Sequence, residues 1–220
     1  MLFIDDSFAM AKDKEIASAT ERRIHEAALR IFSRTGRTDL TISELATEAG
    51  LARGTVYHYV QSAEALFESV AAHLSAEMYR RVKKSLATTE EASNPTNRLA
   101  MGIRLYIRRA HEEPLWGQFV YSFGFRAEAL QKLWRNYTIE DLLAGVQAGQ
   151  FQCKPERLHS TMSFIAGVVS GAIYLVTNGH DTWRNAGAES VEFILQAMGV
   201  PAPTACDLAN RELPPLLPDD

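Results

Sequence analysis

The sequence predicts an all-α fold, and three observations support this prediction. Apolar residues recur every three or four positions through most of the chain, which is the period of one helix face. No Asn-Gly or Asp-Gly turn joins two alternating apolar segments, as a β-hairpin would require. Glycine and proline divide the helical pattern into about nine helices, with no repeat at solenoid spacing.

The first helix is predicted to begin at Ser18, because Ser18-Ala-Thr-Glu21 has the form of a capping box. Gly36 is a typical residue for the end of this helix. Residues 1–17 show no helical periodicity, so we expect them to form a flexible arm. The apolar residues that define the buried face of this helix are Ile24, Ala28, Ile31 and Phe32.

Three more helices follow closely. A second capping box, Thr41-Ile-Ser-Glu44, begins a short helix that ends at Gly50. Another short helix covers about residues 52–59, and Ser62 caps a long fourth helix. The long helix has one apolar stripe, formed by Leu66, Val70, Leu74, Met78 and Val82.

The polar stretch 88–97 marks a boundary before the remaining helices. We assign residues 18–68 to a first domain and residues 69–200 to a second. Residues 201–220 hold five of the eight prolines and are expected to form an irregular tail. Breaks at Pro114, Pro155 and Gly179 separate the later helices, predicted at about 97–112, 115–122, 126–149, 155–178 and 182–199.

Composition limits the classes of protein to consider. The 220 residues are 46% hydrophobic, enough for a substantial core. Two cysteines are too few for a disulfide framework, an all-cysteine zinc site or an iron–sulfur cluster, and they suit the reducing cytoplasm. We see no signal peptide, and the longest apolar stretch, 162–176, is too short for a membrane span. We therefore expect a cytoplasmic protein that has no membrane partner, metal or cofactor.

The segment 41–60 has the residue types of a helix-turn-helix at the required offsets. Leu45 and Ala49 face inward from its first helix, and a small residue, Ala46, stands where the second helix crosses closely. Val56 and Val60 form the inward face of that second helix. Any helical protein can contain two short amphipathic helices, but these joint offsets favour a DNA-binding motif.

Five residues of the second helix are left facing outward, and their chemistry suits DNA. Arginine reads guanine edges with two hydrogen bonds, and the threonine methyl contacts a thymine methyl. Glycine lets the backbone approach DNA, whereas tyrosine and histidine reach phosphates. The Thr41 hydroxyl and the amides of the helix that it caps suit a further phosphate. The outward residues are Arg53, Gly54, Thr55, Tyr57 and His58.

Residues 20–70 closely resemble the amino-terminal domain of the tetracycline-repressor (TetR) family of transcription regulators. The shared residues include the segments TIxELAxxAGL from Thr41 and GTVYHYV from Gly54. The resemblance implies that the DNA-lining residues are Thr41, Arg53, Gly54, Thr55, Tyr57, His58 and Tyr59. Two positions depart from the family pattern, because Ala52 replaces a helix-capping hydroxyl residue and Ala63 a phosphate-binding lysine.

A two-fold operator requires a dimer, with two recognition helices about 34–36 Å apart. As in relatives, we expect helices 155–178 and 182–199 to pair with those of a second copy in a four-helix seam. Gly167 and Gly171 would let another helix approach closely. The alternative is that the apolar helix 155–178 lies at the centre of a monomer core.

The second domain is expected to bind a small-molecule effector. The stretch 114–125 is rich in aromatic residues, which form either a pocket wall or ordinary core. Arg104 and Arg108 share one helix face, where they either contact an anionic ligand or lie in solvent. The aromatic candidates are Trp116, Phe119, Tyr121 and Phe123.

The leading hypothesis is a ligand-responsive repressor that binds a palindromic double-stranded DNA operator as a homodimer. An effector, largely apolar or aromatic, would favour a state that no longer fits DNA. The rival hypothesis of an enzyme lacks support, because the sequence has no nucleophile elbow, P-loop, dinucleotide-binding or zinc-protease motif. A third hypothesis is a scaffold that keeps the helix-turn-helix only as structure.

Overall fold

The computed structural model describes residues 6–219, and the side chains of residues 19–132, 139–154 and 156–219. Within these residues the chain is all-helical, with no strand. Two 3-10 segments, Glu90–Ser93 and Pro155–Arg157, accompany ten α-helices. In chain order these are α1 (Asp6–Thr35), α2 (Ile42–Ala49), α3 (Arg53–Tyr59), α4 (Ala63–Leu86), α5 (Pro95–Glu112), α6 (Pro114–Phe123), α7 (Glu128–Gln147), α8 (Leu158–Thr177), α9 (Trp183–Ala197) and α10 (Ala202–Asn210).

Local capping residues delimit the helices as the sequence predicts. The Thr41 hydroxyl accepts a hydrogen bond from the Glu44 amide, and the Glu44 side chain accepts from the Thr41 amide, which completes the capping box. Ser62 Oγ accepts from the amide of Ala65 at 3.0 Å, at the start of α4. Gly50 has a φ of 63°, which only glycine adopts without strain, and so ends α2.

The predicted start of the first helix is wrong, because α1 begins at Asp6 rather than Ser18. Residues 6–17, expected as a loose arm, contain no glycine or proline and are rich in alanine and lysine, which favour helix. The capping-box pattern at Ser18 therefore lies inside a continuous helix. Residues 1–5 of the predicted arm lie outside the described residues.

The predicted irregular tail is wrong over residues 202–210, which form α10. Proline at a helix start loses no hydrogen bond, because the first amides of a helix have no partner within it. Pro201 and Pro203 therefore help α10 to begin rather than prevent it. Ala205, Leu208 and Ala209 are the buried face of α10, which packs against α9.

The described residues fall into two compact units, residues 1–70 and 71–220, and the division lies inside α4. In the first unit α1 packs on α2, and α2 packs on α3. The aromatic pair in its core is Phe32 and Phe67, whose ring centroids lie 5.4 Å apart in an edge-to-face arrangement. The other buried apolar residues include Ile24, Ala28, Ile31, Leu45, Ala46, Val56, Leu66 and Val70.

Helix α5 is the centre of the second unit and contacts α6, α7, α8, α9 and α10. Gly117 and Gly145 each let a neighbouring side chain pack directly against the helix backbone. A Cβ atom at Gly117 would lie 2.7 Å from Thr177 on α8, and one at Gly145 would overlap the Phe151 ring.

Helix α8 has a mean hydropathy of 1.5 over its most apolar 18 residues, and 39% of that window is buried. By length and composition it is, among the described helices, the one long and apolar enough to cross a membrane. One such helix is weak evidence for a membrane protein, because the core helix of a soluble protein passes the same test.

Replacing Gly145 by alanine should destabilise the second unit by about 1–3 kcal/mol, because the new methyl group overlaps the buried Phe151 ring. The matched control is Gly102→Ala in α5, where an added Cβ has no neighbour within 4 Å. The control should be neutral or more stable by about 0.5–1 kcal/mol, because alanine favours helix. Urea denaturation followed by circular dichroism measures both changes, and equal stabilities of the two variants would contradict this packing.

Candidate functional site

Helix α3 is anchored by one face and open on the other. Val56 is fully buried, and Val60 directly after the helix is buried as well. Tyr57 on the opposite face is 74% exposed, and Arg53 is exposed at the first position of the helix. Within the described part of the chain Arg53 makes no hydrogen bond or ion pair, so its guanidinium is available to an external acceptor.

The remaining predicted DNA contacts lie on the same short segment or just before α2. Gly54, His58 and Tyr59 are exposed, and Thr55 is half-buried. The His58 and Tyr59 rings meet edge to face, with centroids 5.5 Å apart. The structure therefore leaves every predicted residue of α3 at least partly accessible.

Thr41 is exposed, but its hydroxyl is already engaged in the capping box. The hydroxyl donates to Glu44 Oε2 at 2.8 Å and accepts from the Glu44 amide at 3.1 Å. Hydrogen bonds from the Thr41 amide and hydroxyl lower the pKa of the Glu44 carboxyl, which keeps it ionised beside the start of α2. A phosphate bound here would compete with this carboxylate for the same donors.

Arginines of α1 hold the helix-turn-helix in place. Arg30 Nε donates to Glu48 Oε1 at 2.7 Å, and Arg34 lies 3.3 Å from the other oxygen of the same carboxylate. The hydrogen bond from Arg30 lowers the pKa of Glu48. Arg23 donates to the carbonyl oxygens of Ala49 and Gly50, which lie at the end of α2. These contacts could not be predicted from the sequence, because no local pattern joins α1 to a helix some 20 residues later.

These contacts also bear on the net charge of the first unit. Residues 18–70 contain six arginines and seven acidic residues. Four of those arginines (Arg23, Arg30, Arg34 and Arg37) are engaged with carbonyl or carboxylate oxygens of their own unit. Arg53 is therefore a local positive group rather than part of a broad basic surface.

The predicted ligand-binding residues do not form a common site. Trp116, Phe119 and Phe123 are buried in the core, whereas Tyr121 is exposed. Phe119 and Phe123 pack on each other with ring centroids 5.1 Å apart. The placement of the three buried rings favours the core alternative, and a ligand-binding role for them stays a prediction.

The two predicted arginines also face different surroundings. Arg104 is buried and donates to the carbonyl of Arg211 at 2.7 Å, and burial lowers its pKa. Arg108 pairs with Glu112 at 2.8 Å and lies over the Trp183 ring. Among the described residues no group of three or more His, Cys, Asp or Glu side chains could hold a metal ion.

An interior cavity of about 40 Å³ lies between α4, α5, α7 and α8. Arg98 and Asp141 form its polar side, where Arg98 Nε donates to Asp141 Oδ1 at 2.5 Å. Burial raises the pKa of the Asp141 carboxyl, although Arg98 opposes the rise. The other lining residues are Val82, Leu86, Leu99, Gly102, Ile103, Tyr106, Ile165 and Val169.

A larger outer pocket of about 390 Å³ adjoins this cavity and opens to solvent. Leu86, Arg98 and Asp141 line both spaces, so the ion pair lies at the wall that separates them. No local sequence pattern indicates this ion pair, because Arg98 and Asp141 are 43 positions apart. The outer pocket is also lined by Tyr79, Lys83, Ala87, Thr89, Ala92, Ser93 and Glu140.

Helices α8 and α9 present an apolar surface to solvent. Phe164, Tyr174 and Leu175 of α8 are about two-fifths exposed, and Phe193 of α9 is 61% exposed. Gly167 and Gly171 lie on the exposed face of α8, and a Cβ at either position would have no neighbour within 4 Å. The described residues therefore leave room beside both glycines.

Both parts of the chain match known families. Residues 24–70 match bacterial regulatory proteins of the tetR family, and residues 94–211 match the tetracyclin repressor-like C-terminal domain. The chain belongs to the TetR family of ligand-responsive transcription regulators. Regulators of this family are in general soluble, non-enzymatic DNA-binding proteins.

Solved structures of other regulators share the fold. RolR in complex with resorcinol has a TM-score of 0.64 and 22% identity, with 93% of this chain and 100% of RolR covered. SmeT, the repressor of the Stenotrophomonas maltophilia efflux pump SmeDEF, has a TM-score of 0.63 and 18% identity, with 89% and 97% covered. A TetR family regulator from Marinobacter aquaeolei VT8 has a TM-score of 0.61 and 18% identity, with 89% and 97% covered. No curated protein sequence matches significantly.

Replacing Gly54 by alanine tests whether α3 needs close backbone approach to DNA. An added Cβ has no neighbour within 4 Å, so the free protein should fold normally, with α3 equally or more stable. Affinity for the operator should fall by about tenfold or more if the methyl group meets the duplex. Fluorescence anisotropy with labelled operator measures the change, and unchanged affinity would remove Gly54 from the interface.

Proposed function

We propose that this protein is a repressor that binds a palindromic operator as a homodimer and is released by a small, largely apolar or aromatic effector. The observation that carries the DNA-binding part is the exposed pair of side chains on α3. Arg53 and Tyr57 project from a helix whose opposite face is fixed by buried Val56. This arrangement suits a helix that enters the major groove and contacts base edges and phosphates.

The exposed surface of α8 and α9 supports the dimer. Small residues flanked by large apolar ones let two helix backbones approach and bury the apolar neighbours. Gly167, Gly171 and Phe164 provide this arrangement at successive turns of α8. A second copy packed on this face would bury the exposed side chains and supply the second recognition helix that a palindrome requires.

The interior cavity supports a small apolar effector with at least one hydrogen-bonding group. Its walls are mostly aliphatic, whereas Asp141 and Arg98 offer an acceptor and a donor on one side. A phenol fits this chemistry, because its ring suits the apolar wall and its hydroxyl can donate to a carboxylate. RolR, which is similar in fold, binds resorcinol, so simple phenols are the first effectors to test.

The size of the cavity suggests how binding is coupled to α4. A volume of about 40 Å³ is far below the roughly 300–1,000 Å³ of typical ligand sites. An effector must therefore enlarge the cavity by moving its walls, which include Val82 and Leu86 of α4. Because α4 continues into the DNA-binding unit, a shift at one end of this helix reaches the other.

Selection from a library of random DNA duplexes tests the proposed function. The full chain should enrich a palindrome whose half-sites are about one helical turn apart. Arg53→Ala combined with Tyr57→Phe should weaken binding to the enriched sequence by about 100-fold, because a base-edge contact and a phosphate contact are lost. Folding and oligomeric state should be unchanged, since both side chains are exposed. Failure to enrich any sequence, or full affinity of the double variant, would contradict the proposal.

Replacing Phe164 by glutamate should convert the dimer to a monomer, because a charge would be buried in an apolar seam. Phe125→Glu is the matched control, since Phe125 is 55% exposed but lies between α6 and α7. Light scattering after size-exclusion chromatography measures the mass of each variant. A dimeric Phe164→Glu variant, or a monomeric wild-type chain, would exclude this seam.

A further inference from the structure

Residues 213–219 form a strap, an extended segment that follows the outer face of α4. The Leu217 amide donates to Ser85 Oγ at 2.8 Å, and Arg81 Nε donates to the Leu217 carbonyl at 3.1 Å. Ser85 is fully buried, and Leu217 is half-buried. Both backbone polar groups of Leu217 are thus paired with α4 side chains, which fixes the register of the strap on the helix.

Charged side chains extend this contact on both sides of Leu217. Arg80 Nε donates to Asp219 Oδ1 at 2.8 Å and Arg80 Nη2 to Oδ2 at 2.5 Å, a two-pronged ion pair. Hydrogen bonds from Arg80 lower the pKa of the Asp219 carboxyl. Lys84 Nζ lies 3.4 Å from the Pro218 carbonyl. One short segment therefore engages four side chains of α4, which are Arg80, Arg81, Lys84 and Ser85.

The sequence of the strap explains its extended form. Pro214, Pro215 and Pro218 prevent a helix, and proline-rich segments hold an extended backbone with little loss of entropy on docking. Leu213, Leu216 and Leu217 are half-buried, so apolar contacts accompany the hydrogen bonds. These features are typical of a segment that binds the surface of a helix rather than of a segment in the hydrophobic core.

We propose that the 213–219 strap is a releasable clamp on α4 that sets how readily this helix moves. This inference rests on the proposed function, because it assumes that α4 carries the effector signal. Helix α4 is held by two sets of contacts that differ in solvent exposure. Arg81, which is 11% exposed, also pairs with Glu77 and Glu113, whereas the Arg80 side chain is half-exposed. The half-exposed Arg80–Asp219 contact opens more easily than the ion pairs around the buried Arg109, so the strap can begin to detach from its Asp219 end while α4 stays anchored.

Deletion of residues 213–220 and the single change Asp219→Asn test the clamp. The matched control is Asp207→Asn, which removes an acidic side chain that pairs with Arg211 at 2.6 Å beside α10. Hydrogen exchange should quicken by about tenfold for the amides of residues 80–86 in the deletion variant, and by less in Asp219→Asn. The control should exchange like the wild-type chain in this segment.

Operator affinity, measured by anisotropy on the selected sequence, separates a clamp from a purely structural contact. We expect the deletion to change this affinity by at least about threefold, with Asp219→Asn intermediate and Asp207→Asn unchanged. Unaltered exchange in residues 80–86 would show that the strap does not hold α4. Faster exchange with unaltered affinity would overturn the regulatory role.

If the deletion variant fails to fold, Asp219→Asn decides by the same two measurements. If the wild-type chain binds no operator, the proposed function fails, while exchange still tests the contact.

Discussion

The second unit depends on a cluster of four charges, built around the fully buried Arg109, that fixes α4 against the corner between α5 and α6. Arg109 is 1% exposed and lies 2.8 Å from Glu77 and 2.9 Å from Glu113, while Arg81 contacts the same two carboxylates. Burial by itself would raise the pKa of Glu113, but Arg109 and Arg81 hold it below its usual value. Removing the carboxylate partners of a fully buried charge such as that of Arg109 costs up to about 3–5 kcal/mol, because the guanidinium is left buried and uncompensated, whereas solvent screening reduces the cost for the more exposed Glu113. The position of α4 is therefore strongly specified.

The cluster also explains why Trp116 is buried. Arg109 lies over its ring at 4.7 Å, so the tryptophan provides an apolar and cation-attracting platform for a guanidinium that has left water. Tyr106 packs on the same ring, with centroids 5.9 Å apart. Trp116, one of the aromatic residues that the sequence offered as a pocket wall, thus supports the charged cluster, and the interior cavity lies between other helices.

Two neighbouring stripes of α4, one with Glu77, Arg81 and Ser85 and one with Val82 and Leu86, make three different kinds of contact. Glu77 and Arg81 belong to the cluster, Val82 and Leu86 line the cavity, and Ser85 binds the strap. Residues four apart on a helix lie on one face, and adjacent stripes lie within about 100° of each other. About one turn of α4 therefore contacts the cluster, the cavity and the strap. A change at any of these three places alters the contacts that hold α4 in position.

The sequence predicted what depends on neighbouring residues and missed what depends on distant ones. The capping box at Thr41, the cap at Ser62 and the turn at Gly50 are local, and each is as predicted. The same capping-box pattern at Ser18 failed, because favourable helix residues upstream outweigh one cap. Arg98 and Asp141, like the charged cluster, join residues tens of positions apart, and no periodicity encodes such a pairing. The exposure of Arg53 follows from a local sequence pattern. Its lack of an internal partner depends on distant residues, because arginines of α1 already occupy acceptors of this unit such as Glu48 and the Ala49 carbonyl. Under the proposed function, a weakly acidic unit binds DNA through a few well-placed groups, doubled by a second copy, rather than through a broad positive field.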